Sequence, residues 1–140
     1  MVNLHEQDLN LWLEQQAIAI KNKHLARMDW KNLLEEIEDI RASQKRALRS
    51  YVKQLIKHLL KLKYWHTELE SNKAGWELEV SHFRDEILDI LADSPSLKNY
   101  LEMNYDVWYQ KSADKKKLGF NLPEHEPVSI DKILDENYFG

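Results

Sequence analysis

The sequence predicts an all-α fold, a bundle of four main helices, one of which is long and central. A short helix follows near the C-terminal end of the chain. Only three glycines and three prolines occur among 140 residues, so few residues interrupt helices. Apolar residues recur at spacings of three and four, which is typical of helices that bury one face. With 43% hydrophobic residues and five tryptophans, residues 1–140 are expected to form a single domain with a sizeable core.

The long central helix is predicted over residues 30–66. Asp29 precedes it as the N-cap, a position that favours short polar side chains. On a wheel of about 100° per residue, its apolar side chains fall within about 60° of Ile37. Besides Ile37 they are Trp30, Leu33, Leu34, Ile40, Leu48, Tyr51, Val52, Leu55, Leu59 and Leu62.

The length of this helix leaves two alternatives open. At about 1.5 Å per residue it would span roughly 55 Å, whereas a compact domain of this size has a radius of gyration of about 14–15 Å. Either the helix is kinked or broken in the polar residues 41–46, or a second subunit covers the part that extends beyond the domain.

The remaining helices follow from turn and capping signals. The first covers residues 5–21, and the polar residues 67–73 are predicted as a turn before a third helix over about 72–92. Ser94 as N-cap and Pro95 at the first helical position start the fourth helix, which ends at Gly119. Residues 120–127 are expected to be irregular, and Ser129 caps the short last helix, which ends at Leu134.

The second half of the long helix carries a basic face. Residues 41–63 contain eight Lys or Arg and no Asp or Glu; subtracting them from the net charge of −4 leaves −12 for the rest of the chain. Such a row could neutralise the phosphates of a polyanion, although no aromatic residue interleaves with it. Alternatively it is a solvated surface, partly paired with an acidic flank on the third helix. The basic face comprises Lys45, Arg49, Lys53, Lys57 and Lys61, and the acidic flank comprises Glu79, His82, Glu86, Asp89 and Asp93.

Three polar residues project near the apolar stripe: Arg41, Gln44 and His58. A buried charge or amide costs several kcal/mol without a partner, so a carboxylate such as Glu38 or Glu79 could pair with Arg41. His58 could handle protons, since its unperturbed pKa is about 6.5, or it could be a hydrogen-bonded core histidine. The sequence leaves open whether these residues form a site or a structural network.

Glu79 and His82 form a Glu-x-x-His pattern on a helix, the spacing that di-iron bundles use twice. The chain holds no second copy, so this is a weak candidate metal site, and no cofactor is predicted. The absence of cysteine excludes disulfides and thiolate zinc sites and suits the reducing cytoplasm. No nucleophile elbow or phosphate-binding glycine loop occurs, and no apolar run approaches the ~20 residues of a membrane span.

Several motifs resemble the family known as domain of unknown function 29, whose members are small, mainly cyanobacterial proteins. The motifs are Leu34-Glu35-Glu36-Ile37-Glu38, His58-Leu59-Leu60-Lys61 and Asp93-Ser94-Pro95-Ser96-Leu97, with matching segments at 6–13 and 133–136. The family often has a glycine near Arg41 that would favour a break, and this chain lacks it. The resemblance implies an all-helical fold, and it carries over no catalytic residue.

These observations favour a non-enzymatic, cytoplasmic interaction module whose partner is another protein or a second copy of the chain. The alternative hypothesis is nucleic-acid or other polyanion binding through the basic face. A third hypothesis is a metal-assisted enzyme at Glu79 and His82. No membrane association is predicted.

Overall fold

The computed structural model describes residues 3–140, and within that range it contains helices and no strand. The all-α prediction is confirmed, and four of the helices are long. The helices are α1 (Leu4–Gln7), α2 (Leu9–Lys21), α3 (Trp30–Tyr64), α4 (His66–Asp93), α5 (Leu97–Ser112), α6 (Lys115–Leu118) and α7 (Ile130–Leu134), with a 3-10 turn at Leu25–Arg27.

Helix α3 runs without a break from Trp30 to Tyr64. The break considered for the polar residues 41–46 therefore does not occur, because Arg, Ala, Gln and Lys favour helix and the segment contains no Gly or Pro. Asp29 caps its start, because the backbone N–H of Asn32 donates to Asp29 Oδ1 at 3.3 Å.

The chain divides into two compact units, one ending at Ser43 and one covering Gln44–Gly140. The first unit is held together by polar contacts to the start of α3. Trp12 Nε1 donates to Asp29 Oδ2 at 3.0 Å, and the backbone N–H of Asp29 donates to Gln16 Oε1 at 2.8 Å. Among the described residues of this unit, Trp12, Gln16 and Ala19 are buried, so the core that they form is small.

The second unit contains a large apolar core that α3, α4, α5 and the C-terminal segment share. Trp65, at the corner between α3 and α4, stacks on Trp76 with ring centroids 5.6 Å apart and on Phe120 at 5.1 Å. The buried residues of this core include Leu48, Val52, Leu55, Ile56, Leu59, Leu60, Val80, Ile87, Leu101, Tyr105, Trp108 and Ile133.

Four boundaries differ from the prediction, one of which is the end of the fourth helix, at Ser112 and not at Gly119. The segment predicted as one helix over residues 5–21 forms two helices, α1 and α2. Asp8 separates them and caps α2 by accepting a hydrogen bond from the backbone N–H of Leu11 at 3.0 Å. Helix α4 already begins at His66, so the turn predicted at 67–73 is wrong, and the stacked Trp65 makes the corner instead. Helix α5 begins at Leu97 without a side-chain cap, since its first N–H groups bond the backbone carbonyls of Ser94 and Pro95.

Two predicted C-terminal signals are present, although Gly119 ends the short helix α6 and not the fourth helix. Gly119 has a φ of +79° after α6, the left-handed conformation that glycine adopts without strain. Ser129 accepts from the backbone N–H of Lys132 at 3.3 Å and thereby caps α7.

Candidate interaction surfaces

The first turns of α3 present an uncovered apolar face. We define this face as Trp30, Leu34, Ile37 and Ile40, which are 59%, 57%, 55% and 61% exposed. The same stripe of α3 is buried from Leu48 onwards. The periodicity thus identified the apolar side of the helix correctly, but only its second half is packed.

The apolar face is uncovered because α1 and α2 bind a different side of α3. His5 Nε2 contacts Glu36 Oε1 at 2.6 Å, and Trp12 binds Asp29. Asp29 and Glu36 lie about 80–100° round the helix from Ile37. The N-terminal helices therefore attach to the flank of α3 and leave the apolar stripe open.

Helix α2 adds to the apolar surface of the first unit. One side of α2 supplies the small core, but its other apolar side chains are exposed. Those that are at least 40% exposed are Leu9, Leu11, Leu13, Ile18 and Ile20. Exposed apolar surface concentrated in one small unit is typical of protein interaction sites.

The second unit carries a surface of unneutralised positive charge. We define the cationic surface as Lys45, Arg49, Lys53, Lys57 and Lys61 of α3, Lys111 of α5 and Lys117 of α6. None of these seven forms an ion pair with any residue of the described range 3–140. The predicted acidic flank of α4 therefore does not pair with the basic face in this structure.

Lys53 lies at the centre of the cationic surface. Partial burial lowers the pKa of its ammonium, and the positive charges of Lys111, Arg49, Lys57 and Lys117 lower it further. Burial, followed by the charge of Lys57, likewise lowers the pKa of Lys61. Three helices thus bring like charges close enough to repel one another.

Aromatic rings lie at both ends of the basic row. The Lys45 ammonium is 5.0 Å from the centroid of the Tyr100 ring, and that of Lys61 is 5.8 Å from the centroid of the Trp76 ring. The rings come from α5 and α4, so the tertiary fold places aromatic neighbours beside the basic row that its own positions do not contain.

Among the described residues, no hydrogen bond or ion pair joins the three polar residues near the stripe. Arg41 and Gln44 are exposed, and Gln44 Oε1 accepts from Ser94 Oγ at 3.5 Å. His58 is half-buried, its Nδ1 donates to the backbone carbonyl of Gln54 at 2.8 Å, and its ring lies 5.5 Å from Phe83. His58 therefore has the partner expected of a core histidine.

Glu79 and His82 are both exposed on α4. Across residues 3–140, no three His, Cys, Asp or Glu side chains are grouped so that they could hold a metal ion. The charge of Glu79 raises the pKa of His58, although the net direction is downward because of burial. Glu79 is thus an electrostatic neighbour of His58.

Arg84 is a buried charged residue that the sequence reasoning missed. It is 2% exposed and donates to the backbone carbonyls of Ile133 at 2.8 Å, Tyr138 at 2.6 Å and Glu136 at 3.4 Å. A signal for it existed, since Arg84 stands four residues after Val80 and three before Ile87 on the apolar side of α4.

Together these features define a class of protein: an all-α protein whose distinctive surfaces are an open apolar face and an unneutralised cationic surface. The chain belongs to the family described as Domain of unknown function DUF29, whose model matches residues 4–139. No curated protein and no solved structure matches the chain. Among the helices described in residues 3–140, none has the length and apolar character needed to cross a membrane.

Proposed function

We propose that this protein is a non-enzymatic helical interaction module that pairs with a second copy of itself through the apolar face of α3. The observation that carries the proposal is the exposure of Trp30, Leu34, Ile37 and Ile40, each more than half open to solvent. Fully burying such a side chain is worth roughly 1.5–3 kcal/mol relative to leaving it exposed. A face of four exposed stripe positions gains stability only when a partner covers it.

A second copy fits this face in an antiparallel register. Antiparallel helices that meet along a heptad stripe bring Trp30 of one copy opposite Ile40 of the other, and Leu33 opposite Ile37. A two-fold axis then uses the same patch on both copies, so the assembly closes as a dimer.

The charges of α3 favour the antiparallel over the parallel arrangement. Its residues 41–63 carry eight positive and no negative charges. Parallel pairing would place two such segments side by side, and like charges in proximity destabilise an interface. Antiparallel overlap of residues 30–40 keeps the two basic segments at opposite ends of the helix pair.

The proposal is tested by molar mass from light scattering over a range of concentrations. We expect the wild type to reach twice the monomer mass of 16.8 kDa as concentration rises. Ile37→Asp should remain monomeric, because a carboxylate on the apolar face would be buried in the dimer without a partner. Its helical content by circular dichroism should be unchanged, since Ile37 is exposed within its own unit.

Leu78→Asp is the matched control, because Leu78 is also an exposed apolar helix residue, 73% open, but lies on α4. This control should dimerise like the wild type. A wild type that stays monomeric at every concentration, or an Ile37→Asp variant that dimerises normally, would contradict the proposal.

We further propose that the protein works in the cytoplasm. The cysteine-free composition supports this location, since proteins in reducing compartments are generally not stabilised by disulfides. Cell fractionation with an antibody to the chain tests it, and recovery in a membrane or secreted fraction would contradict it.

A further inference from the structure

We propose that the cationic surface of the second unit binds the phosphodiester backbone of a single nucleic-acid strand, without reading its sequence. The surface lies wholly within Gln44–Gly140, so this proposal does not rest on dimerisation through the first unit.

The described residues do not neutralise the cationic surface with ion pairs. Seven cationic side chains from α3, α5 and α6 share this surface, and none forms an ion pair within residues 3–140. Acidic residues are abundant, since the chain has 24 Asp and Glu against 20 Lys and Arg. An exposed face that stays free of acidic partners in such a chain is suited to an external anion.

The positive charges of the cationic surface converge on Lys53. Lys53 is partly buried, and Lys111, Arg49, Lys57 and Lys117 surround it closely enough to disfavour its charged form. Bound phosphates would relieve this repulsion, because each neutralises a cation and releases a condensed counterion from the nucleic acid. A polyanion therefore gains more here than on a surface of isolated lysines.

The path of the basic row around α3 favours a flexible strand over a duplex. Basic residues at every fourth position advance about 6 Å and turn about 40° around the helix at each step. From Lys45 to Lys61 the row therefore rotates by about 160°. Duplex DNA, with a persistence length of about 150 bp, cannot bend along such a path cheaply, whereas a single strand can follow it.

The positions of two aromatic rings also favour a single strand. Tyr100 and Trp76 lie beside Lys45 and Lys61 at the two ends of the row. Both rings are half-buried, and Trp65 already stacks on Trp76, so a base would use the part of each ring that stays exposed. Single-strand binding proteins combine a cationic track with aromatic rings that stack on unpaired bases. The bases of a duplex are already stacked on one another and cannot use such rings.

The test measures binding of a fluorescent oligo(dT), an oligo(U) and a DNA duplex of equal length, each titrated over a range of salt concentrations. Vesicles containing phosphatidylserine form a further arm. We expect both single strands to bind more tightly than the duplex and the vesicles. If all seven cations contact phosphates, log K should fall with log salt with a slope of roughly −5 for a single strand.

Two double variants separate this surface from charge in general. Arg49→Gln with Lys53→Gln should weaken single-strand binding at least about tenfold at low salt and reduce the slope by about 1.4. Lys73→Gln with Lys132→Gln removes the same charge from other helices, and it should change affinity by less than about twofold.

Three results would overturn the proposal. The first is no binding of either single strand at low salt. The second is an equal or tighter affinity for the duplex or for the vesicles. The third is equal weakening by the two double variants. The Ile37→Asp variant, run alongside, should bind the single strand with the wild-type salt slope, because its substitution lies in the first unit.

Discussion

Arg84 is a residue on which the C-terminal segment of the second unit depends. Its guanidinium donates to three backbone carbonyls between Ile133 and Tyr138, and its charge lies 5.5 Å from the centroid of the Phe139 ring. Burial lowers the pKa of Arg84, and nearby carboxylates, Asp135 first, oppose that shift. An arginine remains charged under these conditions, so it joins α4 to the tail as a cation.

Arg84→Met should therefore destabilise the protein by about 2–4 kcal/mol, because it leaves buried carbonyl oxygens without donors. Urea unfolding followed by circular dichroism gives this difference in the free energy of unfolding. Arg84→Lys should recover only part of the loss, since one ammonium cannot reproduce the planar fork of donors. A loss below about 1 kcal/mol for Arg84→Met would show that these hydrogen bonds contribute little.

His58 should make stability depend on pH. Burial lowers its pKa in the folded protein, the hydrogen bond to Gln54 opposes that shift, and the charge of Lys61 adds to it. The unfolded chain, with a histidine pKa of about 6.5, binds more protons than the folded protein between the two values. Stability therefore rises with pH through this window and is lost as the pH falls.

We expect the wild type to lose more unfolding free energy than His58→Gln between about pH 7 and pH 5. Chemical unfolding at each pH measures this loss, and His66→Gln, a substitution at an exposed histidine, serves as the control. Identical pH profiles for the wild type and His58→Gln would remove His58 as the cause.

At the scale of elements, periodicity was informative about helices and silent about what covers them. The spacing of apolar residues predicted α3 from Trp30 almost to its end at Tyr64. It could not distinguish the exposed Ile37 from the buried Leu55, because both lie on the same stripe. Burial depends on which neighbouring helix reaches the stripe, and that is a property of the tertiary fold.

The cationic surface shows the same limit. The basic residues of α3 were visible in the sequence, and their spacing placed them in a row that turns slowly around the helix. Lys111 and Lys117 join them only because α5 and α6 fold against α3, and Tyr100 and Trp76 arrive in the same way. The acidic flank of α4 was also visible in the sequence. Within the described residues, however, its carboxylates form no ion pair with the basic face of α3.

At the scale of the whole molecule, the fold class followed from the sequence while the partner did not. The composition and the family motifs both indicated an all-helical chain. In the proposed dimer a second copy covers the exposed apolar face, and the charges of α3 favour antiparallel overlap. The proposed dimer therefore has a specific antiparallel register between residues 30–40 of α3 in its two copies.

Disulfide cross-linking tests this register most directly, because the chain contains no native cysteine and each introduced thiol is unique. Antiparallel pairing predicts rapid oxidation of Leu34→Cys to a homodimer, since this position lies near the two-fold axis. A mixture of Trp30→Cys and Ile40→Cys should cross-link between the two variants, whereas Ile40→Cys alone should not. Equally rapid cross-linking of Trp30→Cys, Leu34→Cys and Ile40→Cys, each with itself, would indicate parallel pairing, and no cross-linking at any position would contradict the dimer.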